Sequence, residues 1–233
     1  MSTLLLRLAG PMQSWGTQSR FGERDTGLEP SKSGVIGLVC AAMGVPRDDD
    51  AALAELAALW MGVRVDREGL LQRDYHTAGG GKWPGLERYG VSKSDGSSPA
   101  TVVSNRFYLA DAVFLVTLAG LEPVLREIER ALHDPVWPLF LGRKAFPPSE
   151  SIWLSDCIDG GRPEDVLKKR RALAAVRSTD QMNLRLVLEC GPGKGQRRFD
   201  QPISYALGRR RHGVRYVSSD SVNRQDLDQG GGV

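Results

Sequence analysis

Residues 4–16 read LLLRLAGPMQSWG, and how this stretch is taken decides the fold. The run from Leu4 to Ala9 is apolar apart from Arg7, short, and bounded by Gly10-Pro11, so it predicts a strand. A plain connection out of a strand uses Gly, Asn, Asp or Pro and little else. This one carries Gln13, Ser14 and Trp15. Trp15 therefore either folds back over the core or presents its ring to something flat.

Downstream, Ser31 is placed to cap a helix that runs to about Met43 and closes at Gly44. Val35, Ile36, Val39, Ala42 and Met43 form its apolar stripe. Gly34 and Gly37 lie inside it at about 1 kcal/mol each relative to alanine, a cost expected where a backbone meets a sheet or a ligand closely. Asp48-Asp49-Asp50 opens a second helix predicted through Trp60, with Leu53, Leu56, Ala57 and Trp60 on one side. Strands are predicted over Met61–Val65, Leu70–His76 and from near Asn105 to Leu118. Pro123 then starts an amphipathic helix on Val124, Leu125, Ile128 and Leu132, which ends at His133. This order of strand, helix, strands, hairpin, strand and helix predicts an α+β sandwich of ferredoxin-like or RRM-like type.

The expected organisation is an RRM-like domain over 1–140, a smaller β-rich domain over 141–225, and a disordered tail over 226–233. The first contains an insertion at about 78–103. The second carries a helix from Pro163 and strands at Leu184–Glu189 and Gly213–Ser218. The insertion is 26 residues long with six glycines, and it joins Lys82, Arg88 and Lys93 to Trp83 and Tyr89. Structureless loops beyond about 12–15 residues are uncommon unless functional or disordered. Basic and aromatic side chains together are the composition of a single-strand nucleic-acid contact.

Charge points the same way. The formal net charge is only +3, yet residues 162–224 hold 15 Lys/Arg against 6 Asp/Glu, whereas residues 1–50 hold 5 against 6. A basic half suggests a polyanionic partner, because clustered cations release counterions from a phosphate backbone. The run Lys168-Lys169-Arg170-Arg171 reads instead as a solvated helix face. No apolar stretch approaches the roughly 20 residues of a membrane span, so a membrane is not among the expected partners. Three scattered cysteines argue against a disulfide framework and for a reducing cytoplasm. No Cys/His cluster has zinc spacing, and neither metal nor cofactor is expected. The segment GPGKGQRR at 191–198 lacks phosphate-loop spacing and reads as a basic turn. Tyr75 and His76 beside Lys82 form the one acid/base group worth weighing, with His76 as base and Lys82 steadying a phosphorane; a strand-end histidine is more often structural.

Taken in order, LLLRLAGPMQSWG, PSKSGVIGLVCAAMG, NRFYLADAVFLV, LFLGRKAFPPS and RRRHGVRYV resemble the fifth-family Cas subunits of type I-E CRISPR Cascade complexes, within the RAMP superfamily of RRM-like RNA binders. The resemblance spans nearly the whole chain. It implies a subunit that caps the 5′ handle of crRNA, joins the Cascade backbone subunit to the large subunit, meets target DNA only through the complex, and does not cleave. It also implies that the 78–103 insertion is a thumb-like β-hairpin, and that the GPMQSWG and LGRKAFPPS segments lie near the handle. The type I-C relatives do cut precursor RNA, with a tyrosine, lysine and histidine set, which keeps Tyr75, His76 and Lys82 as the alternative. The expected RNA contacts are Gln13, Ser14, Trp15, Arg20, Arg24, Lys32, Ser33, Lys82, Trp83, Arg88, Arg106, Arg143, Lys144 and Phe146. Trp15 is expected either to stack on a base or to pack beneath its loop.

Overall fold

The computed structural model describes residues 2–17, 19, 22–79, 90–91, 100–175, 177 and 182–229. In chain order the elements are β1 (Ser2–Ala9), β2 (Met12–Gln13), β3 (Glu23–Arg24), α1 (Lys32–Met43), α2 (Asp50–Ala57), β4 (Trp60–Arg67), β5 (Leu70–Ala78), β6 (Val102–Ala110), β7 (Val113–Gly120), α3 (Glu122–His133), β8 (Trp153–Asp159), α4 (Pro163–Lys169), β9 (Asn183–Cys190), β10 (Gln196–Ser204), β11 (Arg211–Asn223) and α5 (Arg224–Gln229). Seven strands form one antiparallel sheet in the order β10-β11-β9-β4-β7-β1-β8. A second sheet joins β2, β6 and β3, with β5 paired to β6; only its β3–β6 pair is parallel.

The near-continuous apolar run of β1 follows from its place in the sheet. It lies between β7 and β8, and Leu4, Leu6 and Leu8 on one face and Leu5 on the other are wholly buried. A strand covered on both faces has no need to alternate. Helix α1 begins as its sequence predicts, with the Ser31 side chain accepting from the Gly34 N–H, and ends at Gly44 in the left-handed conformation. Gly34 is needed because a Cβ there would stand 2.8 Å from the Trp15 ring. Helix α3 packs over β1, β7 and β8 and against α1, which also meets β10, while α4 lies against β4 and β7.

Four expectations need correction. Helix α2 stops at Ala57, and Trp60 is the first residue of β4. The strand expected from Asn105 to Leu118 breaks at Asp111, whose φ is +61°; there the chain leaves one sheet for the other. Gly69, at φ +75°, makes the matching bend between β4 and β5, and a Cβ on it would meet Ala112 at 2.7 Å. So β4–β5 and β6–β7 form one long hairpin kinked across its middle, its lower half in the large sheet and its upper half in the small one. The basic turn expected at 191–198 gives way at Gln196 to β10, the outer strand of the large sheet. Finally, the tail expected to be disordered from 226 begins inside α5, anchored by the fully buried Leu227.

The boundary expected at 140/141 does not fall at a break in the large sheet, because β8 pairs with β1 and β9 with β4. Side chains from both segments share one hydrophobic cluster, including Leu4, Phe114, Leu186 and Val217. Among the described residues no helix is long and apolar enough to cross a membrane.

Candidate nucleic-acid interface

The loop after β1 turns its unusual side chains inward. Gln13 is fully buried; its Nε2 donates to the Leu8 and Ala112 carbonyls at 3.2 and 2.8 Å, and its Oε1 accepts from Trp15 Nε1 at 3.2 Å. Trp15 is 1% exposed and lies against Gly34 of α1. Buried indole and amide groups need partners, and here they satisfy each other. Ser14 Oγ donates to the Phe107 carbonyl at 3.2 Å. Gln13, Ser14 and Trp15 are thus corrected from RNA contacts to the struts that fix the loop. Of the two roles open to Trp15, the structure takes packing beneath the loop.

Lys32 needs the same correction. It is 1% exposed, and its Nζ donates to both carboxylate oxygens of Glu189 at 2.9 Å. Burial lowers its pKa from the ordinary lysine value, against the pull of Glu189. The start of α1 is closed as well, since the Lys32 N–H donates to Asp200 at 2.8 Å. Ser33 is half-buried, and its carbonyl accepts from the Tyr205 hydroxyl. Phe146 is buried and tilts against Tyr108 with ring centroids 5.8 Å apart, so its ring is not free to stack on a base.

What these residues hold in place is a cluster of cations on the outside. Side chains alternate across a strand, so Ser104, Arg106 and Tyr108 share one face of β6. Arg24 of β3 and Asp74 of β5 sit directly beside Arg106 in register. The 141–147 turn folds onto this face, with Phe146 on Tyr108 and Leu141 accepting from the Ser14 N–H at 3.1 Å. Gly142 makes the approach possible: its φ is +91°, and a Cβ would lie 1.7 Å from the Ser14 carbonyl oxygen. The next residue, Arg143, is thereby placed with its guanidinium 5.6 Å over the Phe146 ring and donating to the Arg24 carbonyl at 3.1 Å. Lys144 beside it is exposed.

Burial lowers the Arg143 pKa first, then the charge of Arg106; Asp25 and Asp74 oppose the shift and Arg24 adds to it. Like charges held this close are relieved by an anion, and a phosphate oxygen suits a guanidinium fork. The structure thus brings Arg24, Arg106, Arg143 and Lys144 together from three separate segments. Asp25 shapes the rim, accepting from Thr17 and Ser19 hydroxyls at 2.6 Å. Sequence reading overlooked Tyr108 and Asp74; the two-residue spacing from Arg106 to Tyr108 is the signal that finds the first.

Tyr75 and His76 are consecutive on β5 and project to opposite faces. His76 Nδ1 is 3.5 Å from Asp74, on its own face, and Tyr75 is 67% exposed on the other. Arg20, Lys82, Trp83 and Arg88 lie outside the described residues. Among the described residues no group of three His, Cys, Asp or Glu side chains could hold a metal ion.

The chain is similar to known proteins over most of its length. Residues 3–218 match a family model described as CRISPR-associated protein of the Cas5 type. The chain is 38% identical over 171 residues to the CRISPR system Cascade subunit CasD of Escherichia coli strain K12, covering 67% of this chain and 71% of that one. A solved crystal structure of a Cas protein superposes with a TM-score of 0.75 at 36% identity, over 97% of both chains. A chain from a CRISPR RNA-guided surveillance complex gives 0.78 at 35% identity, over 98% of this chain and 97% of the other.

Proposed function

The chain belongs to the Cas5 family of CRISPR-associated proteins, and from that premise we propose that it is the CasD-type subunit of a type I-E Cascade, holding the 5′ handle of crRNA without cleaving it. In this reading the Arg24–Arg106–Arg143–Lys144 cluster grips handle phosphates. The β5–β6 hairpin with its 79–101 end is the thumb that presses into the RNA. The other faces join the backbone subunit to the large subunit, and target DNA is reached through the assembly. Extruded single-stranded bases suit such a grip better than duplex RNA, whose deep groove side chains cannot read. The strand order β8-β1-β7-β4, with α1 and α2 between β1 and β4 and α3 between β7 and β8, supports a ferredoxin-like, RRM-like core.

The observation that carries the proposal is the convergence of Arg24, Arg106 and Arg143 at the base of the hairpin, with exposed Lys144 next to Arg143. The absence of cleavage is supported by Tyr75 and His76 pointing to opposite faces, which denies one phosphodiester both groups at once. The test is photo-crosslinking from the first nucleotides of the crRNA in the assembled complex. Adducts are expected on the segments around Arg24, Arg106 and Arg143. Adducts confined to other parts of the chain would overturn the reading. Incubation of the purified protein with repeat RNA without metal is expected to leave the RNA intact; cutting that vanishes in His76→Ala would favour an endoribonuclease.

A further inference from the structure

A second concentration of positive charge is on the β10–β11 edge of the large sheet. Residues 191–215 contain seven Lys/Arg and one acidic residue, Asp200. Arg198 pairs with Glu29 and Arg215 with Asp200. Lys194, Arg197, Arg209, Arg210 and Arg211 are exposed, and none has a carboxylate partner among the described residues. Some arginines elsewhere are neutralised, as Arg7 is by Glu150 and Arg185 by Glu29 and Glu68.

The shape of this edge is specific. Strand β11 pairs with β9 only from Tyr216 onwards. Its first residues, Arg211 to Arg215, pair with β10 alone, so the end of the hairpin is a two-stranded ribbon reaching past the rest of the sheet. One side of the ribbon is fixed against the helices: Gln201 Nε2 donates to the Ala57 carbonyl at 2.8 Å, and the Tyr205 ring lies over Gly37. Its turn closes through the Arg209 N–H on the Ala206 carbonyl, with Gly208 at φ +76°. The turn exposes Leu207 to 96%, two residues before the three consecutive arginines. A bare leucine in this turn, followed by guanidinium groups that no carboxylate pairs among the described residues, adds no burial to the fold.

We propose that this tip, Leu207 with Arg209, Arg210 and Arg211, docks double-stranded DNA. A two-stranded β-ribbon fits a duplex groove, arginines neutralise the flanking phosphates, and an apolar side chain beside them is the wedge that groove-binding proteins insert at a base step. A single strand would call for a concave platform of rings, and the only ring in the turn, Tyr205, is turned inward over α1. The tip is separate from the handle site, and within the assembly it adds a contact to duplex DNA made by this subunit itself.

The test uses the full chain and a short mixed-sequence DNA duplex, titrated by fluorescence anisotropy over a salt series, beside a single-stranded handle RNA. The triple variant Arg209→Gln/Arg210→Gln/Arg211→Gln is expected to weaken duplex binding by about tenfold or more and to reduce the salt slope by nearly three. Leu207→Ser, whose side chain packs against nothing that a change could disturb, is expected to weaken it with the slope unchanged. Handle RNA binding should stay the same in both. Unchanged duplex binding overturns the proposal. So does an equal loss on RNA, which would put the arginines on the RNA path, or loss of the large subunit from the complex with duplex binding intact, which would make the tip a protein contact. Arg106→Gln/Arg143→Gln separates the two sites: if RNA binding ignores that variant, the handle reading fails while the duplex result stands.

Discussion

Arg64 and Arg106 are both arginines on the same kinked hairpin, one below the bend and one above it. Below, Arg64 is fully buried, and each of its five N–H donors has a partner. Nε and Nη2 donate to Asp66 at 2.6 and 3.1 Å, Nη1 to the Leu167 and Arg170 carbonyls at 2.5 Å, and Nη2 also to the Arg171 carbonyl at 3.1 Å. Above, Arg106 gives Nε to Ser104 Oγ at 3.0 Å, and that is its one side-chain hydrogen bond among the described residues. A guanidinium whose fork is filled ties the chain together; one with its terminal nitrogens open is available to an outside anion. What separates a structural cation from a binding one in this fold is the count of donors left over.

The largest break in that comparison is Asp66→Ala. It strips two bonds from Arg64 and one from the Leu173 N–H, leaving a buried charge uncompensated. The expected cost is about 3–5 kcal/mol of unfolding free energy, read by chemical denaturation. A loss under about 1 kcal/mol would mean that the carbonyl partners alone hold Arg64. Gly142→Ala comes next, and it couples the inside to the outside. The new Cβ collides with the Ser14 carbonyl at a positive φ, so the 141–147 turn must lift from its seat. Strain of this kind costs about 1–3 kcal/mol. Handle RNA affinity should fall with it, because the turn carries Arg143 and Lys144. Lower stability with unchanged RNA affinity would detach the turn from the RNA site.

Much of the architecture was legible because local signals agreed with the tertiary outcome. The buried run of β1, the Ser31 and Gly44 caps of α1 and the apolar stripe of α3 each follow from a few adjacent residues. The kink at Asp111 was not legible, since it interrupts an apolar stretch without a glycine or proline at the break. Strand β10 was hidden because an edge strand with one face on helices needs few apolar residues, and QRRFDQPIS has few. The candidate site was half legible. Arg24 and Lys144 are exposed as expected and Arg106 and Arg143 are half-buried, whereas Trp15 and Lys32 depend on partners far along the chain. Trp15 turns inward because position 34 is glycine, and Lys32 because Glu189, 157 residues away, meets it. Local composition holds neither fact.

The smallest expected effect sharpens the comparison most, because it sets two lysines against each other. Lys144→Ala removes an exposed charge from the turn, and away from buried features such changes stay within about 0.5 kcal/mol. Its expected signature is confined to RNA binding: the slope of log affinity against log salt falls by about 0.7 for a single strand. Lys32→Ala should do the reverse. It leaves the half-buried Glu189 without its cation, so the melting temperature drops while the salt slope of the folded fraction stays put. Measuring both variants by thermal melts and RNA titration over the same salt series tests the donor-count rule directly. If Lys32→Ala lowered the slope as Lys144→Ala does, the ion pair with Glu189 would have to open when RNA binds, and burial would no longer mark a cation as structural in this fold.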